Sequence, residues 1–180
     1  MQVGSLQMGM AVCGNNPSSK TGEYFEAAGL LWLPLAQISQ HFAPEVCAAC
    51  KYWDSNNGDG LDADGARRLA VALEQALVAG QIDAYLAARA KYLATLPNEV
   101  CELCGGTGVR RDALGIEDKQ PERVIDQPGH PRHGETGWCN GCDGRGWNEN
   151  WTDEDGGNTD RETVARWIAF LKDCGGFSIN

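Results

Sequence analysis

Apolar residues recur at helical spacing in three places along the chain. Leu69, Leu73, Ala76 and Leu77 fall on one face of residues 63–79, with Asp62 placed to cap the first amides and Gly80 to stop the helix. Ile82, Tyr85, Leu86, Ala90 and Leu93 repeat the period over residues 81–96, ended by Pro97, which predicts a second helix packed back on the first. Val164, Trp167, Ile168 and Leu171 mark a third, with Thr159 and Glu162 at capping-box spacing before it and Cys174 and Gly175 after it. The apolar run 29–42 contains Pro34; because proline is tolerated in a first turn, a helix is expected to start near Pro34. Residues 45–52 predict a short helix after Pro44, and 54–60 a loop. Weak alternation over residues 8–14 and the apolar ending at 176–179 predict two short strands, and the sequence alone does not establish whether they pair.

The fold class expected from these elements is α+β, mainly α, with short terminal strands and a lobe of loops or a hairpin stapled by zinc. A helical body with an N-terminal strand spans residues 1–98 and a zinc-binding lobe residues 99–150. The C-terminal helix and strand, 151–180, pack back on the body. The 180 residues, 42% hydrophobic and 22% charged, suit one domain with a satellite lobe. The least polar stretch, 27–36, is too short to span a bilayer, and the first twelve residues lack the pattern of a secretory leader, so a cytoplasmic location is expected. Met8 is an alternative start to Met1.

The formal charge of -10 is spread over both halves. Phosphate backbones are repelled by such a chain, which argues against direct nucleic-acid binding. The same charge suits docking on a basic protein surface, including one that normally holds DNA or RNA, although acidity also serves solubility alone.

The chemistry concentrates in two octapeptides, CELCGGTG at 101–108 and CNGCDGRG at 139–146, both fitting CxxCxGxG. Two residues between cysteines let a tight turn aim both sulfurs at one ion. Cys101, Cys104, Cys139 and Cys142 then complete a tetrahedral shell around one structural zinc with no open position. Gly106, Gly108, Gly144 and Gly146 supply the backbone freedom that turns amides toward the thiolates. The pattern resembles the cysteine-rich region of the DnaJ chaperones, which carries four such repeats. With two repeats the resemblance covers residues 101–146 and implies one zinc. No HPD tripeptide of a J-domain is present, so that chaperone partnership is not implied. The runs MGMAVCGNNPSSKTGEYF, NNGDGLDADGARRLAVALEQAL and FLKDCGGFSI, with the two knuckles, also resemble a family of small uncharacterised proteins from bacteria and phages. That family implies no activity, and the chain departs from it at Glu26 and residues 27–31. Between the knuckles, residues 105–138 are rich in Pro, Gly and charge, with Val124 and Ile125 an apolar pair. They predict an exposed loop, either simply solvated or a contact surface.

Other signals are better explained structurally. His133, Glu135, Cys139 and Cys142 spell HxE then CxxC, as in zinc deaminases, but three intervening residues leave no room for the elements that site needs. Residues 54–64 look like part of a calcium loop, yet Ala66 stands where the bidentate glutamate belongs. Cys47 and Cys50 share one face of a helical pattern and read as core, as do Cys13 and Cys174. Trp138 and Trp147 bracket a knuckle and pad the lobe, whereas Trp32 and Trp151 are candidate contact anchors. His41, His130 and His133 have no evident catalytic partner. The sequence therefore points to a non-enzymatic, zinc-stabilised protein-interaction protein with a protein partner and no membrane. A phage or prophage factor inhibiting a host nucleic-acid enzyme or defence complex, such as an anti-CRISPR, is the concrete form. The alternatives are an enzyme with an unrecognised active site and a zinc protein that binds nucleic acid through Arg110, Arg111 and Arg123.

Overall fold

The computed structural model describes residues 10–27, 29–148 and 159–180. In chain order the elements are β1 (Met10–Gly14), β2 (Tyr24–Ala27), α1 (Gly29–Phe42), α2 (Pro44–Cys47), β3 (Gly60–Leu61), α3 (Ala63–Val78) and α4 (Gln81–Leu93). There follow β4 (Glu99–Val100), α5 (Ala113–Glu117), β5 (Trp147–Asn148), α6 (Arg161–Asp173) and β6 (Phe177–Ile179). The fold is α+β and mainly α. It divides into two compact units, one of Met1–Ala94 with Trp151–Asn180 and one of Thr95–Asn150.

In the first unit the terminal strands meet. β1 pairs antiparallel with β6, with Val12 opposite Ile179, and also with β2; β3 adds to the far side of β6, giving the order β2-β1-β6-β3. Alternation sends Phe177 and Ile179 inward while Ser178 stays half-buried. Leu69 and Leu73 of α3 and Val164, Trp167, Ile168, Phe170 and Leu171 of α6, all buried, share one core with the inward residues of the sheet. Trp167 is the hub: its ring centroid is 5.0 Å from Phe25, 5.4 Å from Trp32 and 5.4 Å from Phe177. Its indole N–H donates to Ser39 Oγ at 3.1 Å, and Ser39 donates onward to the Leu35 carbonyl at 2.8 Å. The buried polar edge of the ring is thereby satisfied.

Several boundaries differ from expectation. α1 begins at Gly29, so Pro34 lies inside it. An interior proline costs about 3 kcal/mol, which burial of Trp32, Leu35 and Ile38 offsets at about 1.5–3 kcal/mol per large side chain. α2 is a single turn ending at Cys47, because the chain then bends back. The Cys47 carbonyl accepts from the Trp53 indole at 3.2 Å, and the Asp59 carboxylate accepts from the amides of Lys51 and Tyr52. Asp62 caps α3 as expected, accepting from the Gly65 amide at 2.7 Å. The cap of α6 is Asp160, accepting from the Thr163 amide at 2.7 Å, rather than the Thr159–Glu162 pair; an aspartate one position later holds the geometry better than threonine. α4 ends at Leu93, and of its predicted stripe Ile82 is buried, Tyr85, Leu86 and Leu93 are half-buried and Ala90 is exposed. Cys174 is buried but Cys13 only half so. Trp32 is 1% exposed, stacked at 6.0 Å on Trp53 with its indole donating to the Trp53 carbonyl, so it is a core residue and not a contact anchor. Among the described residues, no helix is long and apolar enough to cross a membrane.

Candidate metal centre

The second unit is built on two copies of one turn. In the first, the Gly106 amide donates to the Cys101 carbonyl, the Thr107 amide to the Cys104 carbonyl and the Gly108 amide to Cys104 Sγ at 3.2 Å. In the second, the amides of Gly144, Arg145 and Gly146 make the same three bonds to the Cys139 carbonyl, the Cys142 carbonyl and Cys142 Sγ, the last again at 3.2 Å. Each turn needs left-handed backbone at its two motif glycines, with φ of +86° and +70° at Gly106 and Gly108 and +73° and +87° at Gly144 and Gly146. The strand entering each turn pairs with the segment leaving the other. β4 pairs with β5 through Val100 and Trp147, and the Arg110 amide donates to the Trp138 carbonyl at 2.9 Å. This exchange brings cysteines 38 residues apart face to face.

The sulfurs converge. Cys101 and Cys139 Sγ are 3.8 Å apart, Cys104 and Cys142 Sγ are 3.8 Å apart, and all four lie within 4.8 Å of one another. Cys101, Cys139 and Cys142 are buried and Cys104 half-buried, and none is in a disulfide. Burial pushes the Cys142 thiol up to about 12, helped by its three sulfur neighbours, and raises Cys139 as well. At Cys104 burial also opposes ionisation, but the Gly108 amide, the neighbouring thiols and the Gly106 amide bring it down to about 7. Four crowded sulfurs cannot all ionise on their own; a cation at their centre removes that penalty. The donor set fits a single metal ion held entirely by sulfur.

The segment between the knuckles is folded rather than a free loop. Its apolar anchors Ile125 and Trp138 are buried, and Val124 bridges to Thr136. Two polar residues that sequence pattern did not single out organise it. Arg132 donates from one nitrogen to the carbonyls of Gly108 at 3.1 Å and Gly144 at 2.9 Å, tying the two turns together, while its Nε pairs with Glu135 at 2.7 Å. Gln120 accepts from the Asn140 amide at 3.0 Å with its side chain, and its carbonyl accepts from the Trp138 amide. Neither residue carries a spacing signal, since their partners are carbonyls and amides distant in sequence.

The remaining candidates are placed as follows. Arg110 is 8% exposed, paired through two nitrogens with Asp112 and through the third with Asn140, so it offers no free cation to a partner. Arg111 is exposed. Arg123 lies over the Trp138 ring at 4.5 Å. Trp151 lies outside the described residues. His133 is exposed and Glu135 is engaged by Arg132, so no deaminase-like set is assembled. Cys47 and Cys50 are buried in the core of the first unit, their thiols pushed up by burial to about 12 and about 11. No protein-family model, curated protein or solved structure matches the chain.

Proposed function

We propose that the cysteine cluster holds one structural zinc ion, and that the protein is a non-enzymatic interaction protein whose second unit is a metal-stapled platform for another protein. The carrying observation is the geometry of the sulfurs. A zinc ion with four thiolates at about 2.3 Å sets tetrahedral edges of about 3.8 Å, and the Cys101–Cys139 and Cys104–Cys142 sulfur pairs stand at that separation. Four sulfur ligands leave no position for water or substrate, so such a zinc organises the chain and performs no chemistry. The resemblance to DnaJ repeats supports the same metal. Elemental analysis of purified protein is expected to return one zinc per chain; a stoichiometry of zero, or iron in its place, would overturn the assignment.

For the partner, the acidic balance of -10 supports a basic protein surface over nucleic acid itself. The concrete form is a phage or prophage factor that blocks a host nucleic-acid enzyme or defence complex. Purification of intact and Cys104→Ser chains from host lysate tests it. One enzyme of that class should co-purify with the intact protein only and lose activity in the complex. Full activity of every such enzyme in the presence of excess protein would refute it.

A further inference from the structure

A groove of about 480 Å³ opens on the second unit beside the metal cluster. Its apolar part is Val100 and Leu103, which remain 67% and 47% exposed in a lobe that buries Ile125 and Trp138. Its rim carries Glu99, Glu102 and Asn148, and neither carboxylate has an ion-pair partner among the described residues. The floor is Gly141. A Cβ there would lie 2.6 Å from Leu103 Cδ1 and 3.5 Å from Cys101 Sγ. The missing side chain therefore lets Leu103 lie flat on the second knuckle and brings the groove almost onto a ligand sulfur.

Charge and shape agree on what fits. Four thiolates outweigh one divalent cation by two, so the shell beneath the floor is anionic, and the two free carboxylates add to the same field. An acidic guest is repelled and a neutral apolar one leaves the carboxylates unanswered, whereas a cation beside an aliphatic group meets both. We infer that this groove is the docking site for a partner segment that carries an aliphatic side chain next to lysine or arginine. The inference rests on the metal-platform function and gives that platform its contact point. The aliphatic side chain covers Val100 and Leu103, and the cationic group lies between Glu99 and Glu102.

The test uses the whole zinc-loaded chain, labelled with nitrogen-15 and titrated with acetyl-Arg-Leu-Arg-amide. Saturable shifts are expected at the amides of residues 99–103, 141 and 148, weakening as salt is raised. Glu99→Gln and Glu102→Gln should each weaken the half-saturation point by about threefold, and Leu103→Ser should abolish it while both knuckles keep their metal-bound amide positions. Equal shifts with acetyl-Glu-Leu-Glu-amide would overturn the inference. So would no saturable shift with the arginine peptide while Gly108 and Gly146 remain in their metal-bound positions, a result that leaves the zinc platform standing. A chain that holds no metal and shows no ordered knuckle amides overturns both.

Discussion

Substituting alanine for Gly146 separates a backbone requirement of the metal turn from mere conservatism of composition. Gly146 sits at φ +87°, and a Cβ there would stand 2.4 Å from the Gly106 carbonyl oxygen. Alanine in left-handed backbone costs about 1–2 kcal/mol. The collision is with main chain and cannot be relieved by a rotamer, so the turn must shift. Two hydrogen bonds move with it: the one from the Gly146 amide to Cys142 Sγ, at 3.2 Å, and the one its carbonyl accepts from the Cys101 amide, at 3.0 Å. Each is worth about 1 kcal/mol. The total, about 3–4 kcal/mol, predicts zinc affinity lowered about 100- to 1000-fold, read by competition against a chromophoric chelator. Gly105 is the control. It too has positive φ, +57°, but a Cβ there meets nothing within 4 Å, and the matching position of the second knuckle is Asp143 at φ +53°. Gly105→Asn should therefore keep zinc affinity within about fivefold, since asparagine tolerates this backbone. Equal losses for the two variants, or an unchanged affinity for Gly146→Ala, would refute the account of the turn.

Four other outcomes are expected. Cys104→Ser removes a ligand and should unfold the second unit, because metal binding supplies on the order of 10 kcal/mol of folding free energy in small zinc sites; retention of full zinc content by elemental analysis would contradict it. Arg132→Met loses the bonds to the Gly108 and Gly144 carbonyls, which predicts faster zinc loss to chelator by about tenfold or more with the stoichiometry unchanged at one. Zinc binding at pH 7 should release at least two protons, from Cys139 and Cys142, whose thiols burial holds protonated, so affinity falls as pH falls; a pH-indicator titration below two protons per zinc would be inconsistent. The raised thiols of Cys47 and Cys50 contribute stability to the first unit that is fully present below about pH 9, where the unfolded chain also keeps its protons. It is lost as pH rises toward 12. Denaturant midpoints at pH 8 and pH 10.5 should differ more for the native chain than for Cys47→Ala.

The cysteine cluster was legible in the sequence because both the ligand spacing and the glycines that shape each turn lie within eight residues. The stripes of α3 and α6 were legible for the same reason: periodicity is local. Where sequence failed, a distant partner decided. Pro34 stands inside α1 because Trp32 has Trp167 and Trp53 to pack against. The cap of α6 is the local exception: Asp160 displaces Thr159 because its carboxylate accepts the Thr163 amide and caps better than a threonine hydroxyl. α4 keeps Ala90 at the surface because the core of the first unit closes without it.

By itself, then, the sequence determined which sulfurs converge, where the strongest helices lie and that the surface is acidic. These depend on neighbours along the chain and on composition. Tertiary structure alone decided that the segment between the knuckles folds on Ile125 and Trp138, that Arg132 ties one turn to the other, and that Val100 and Leu103 stay exposed beside two free carboxylates. Carbonyls accept from any donor that folding delivers, and a groove is the space left when packing is complete. Neither leaves a period or a spacing in the chain.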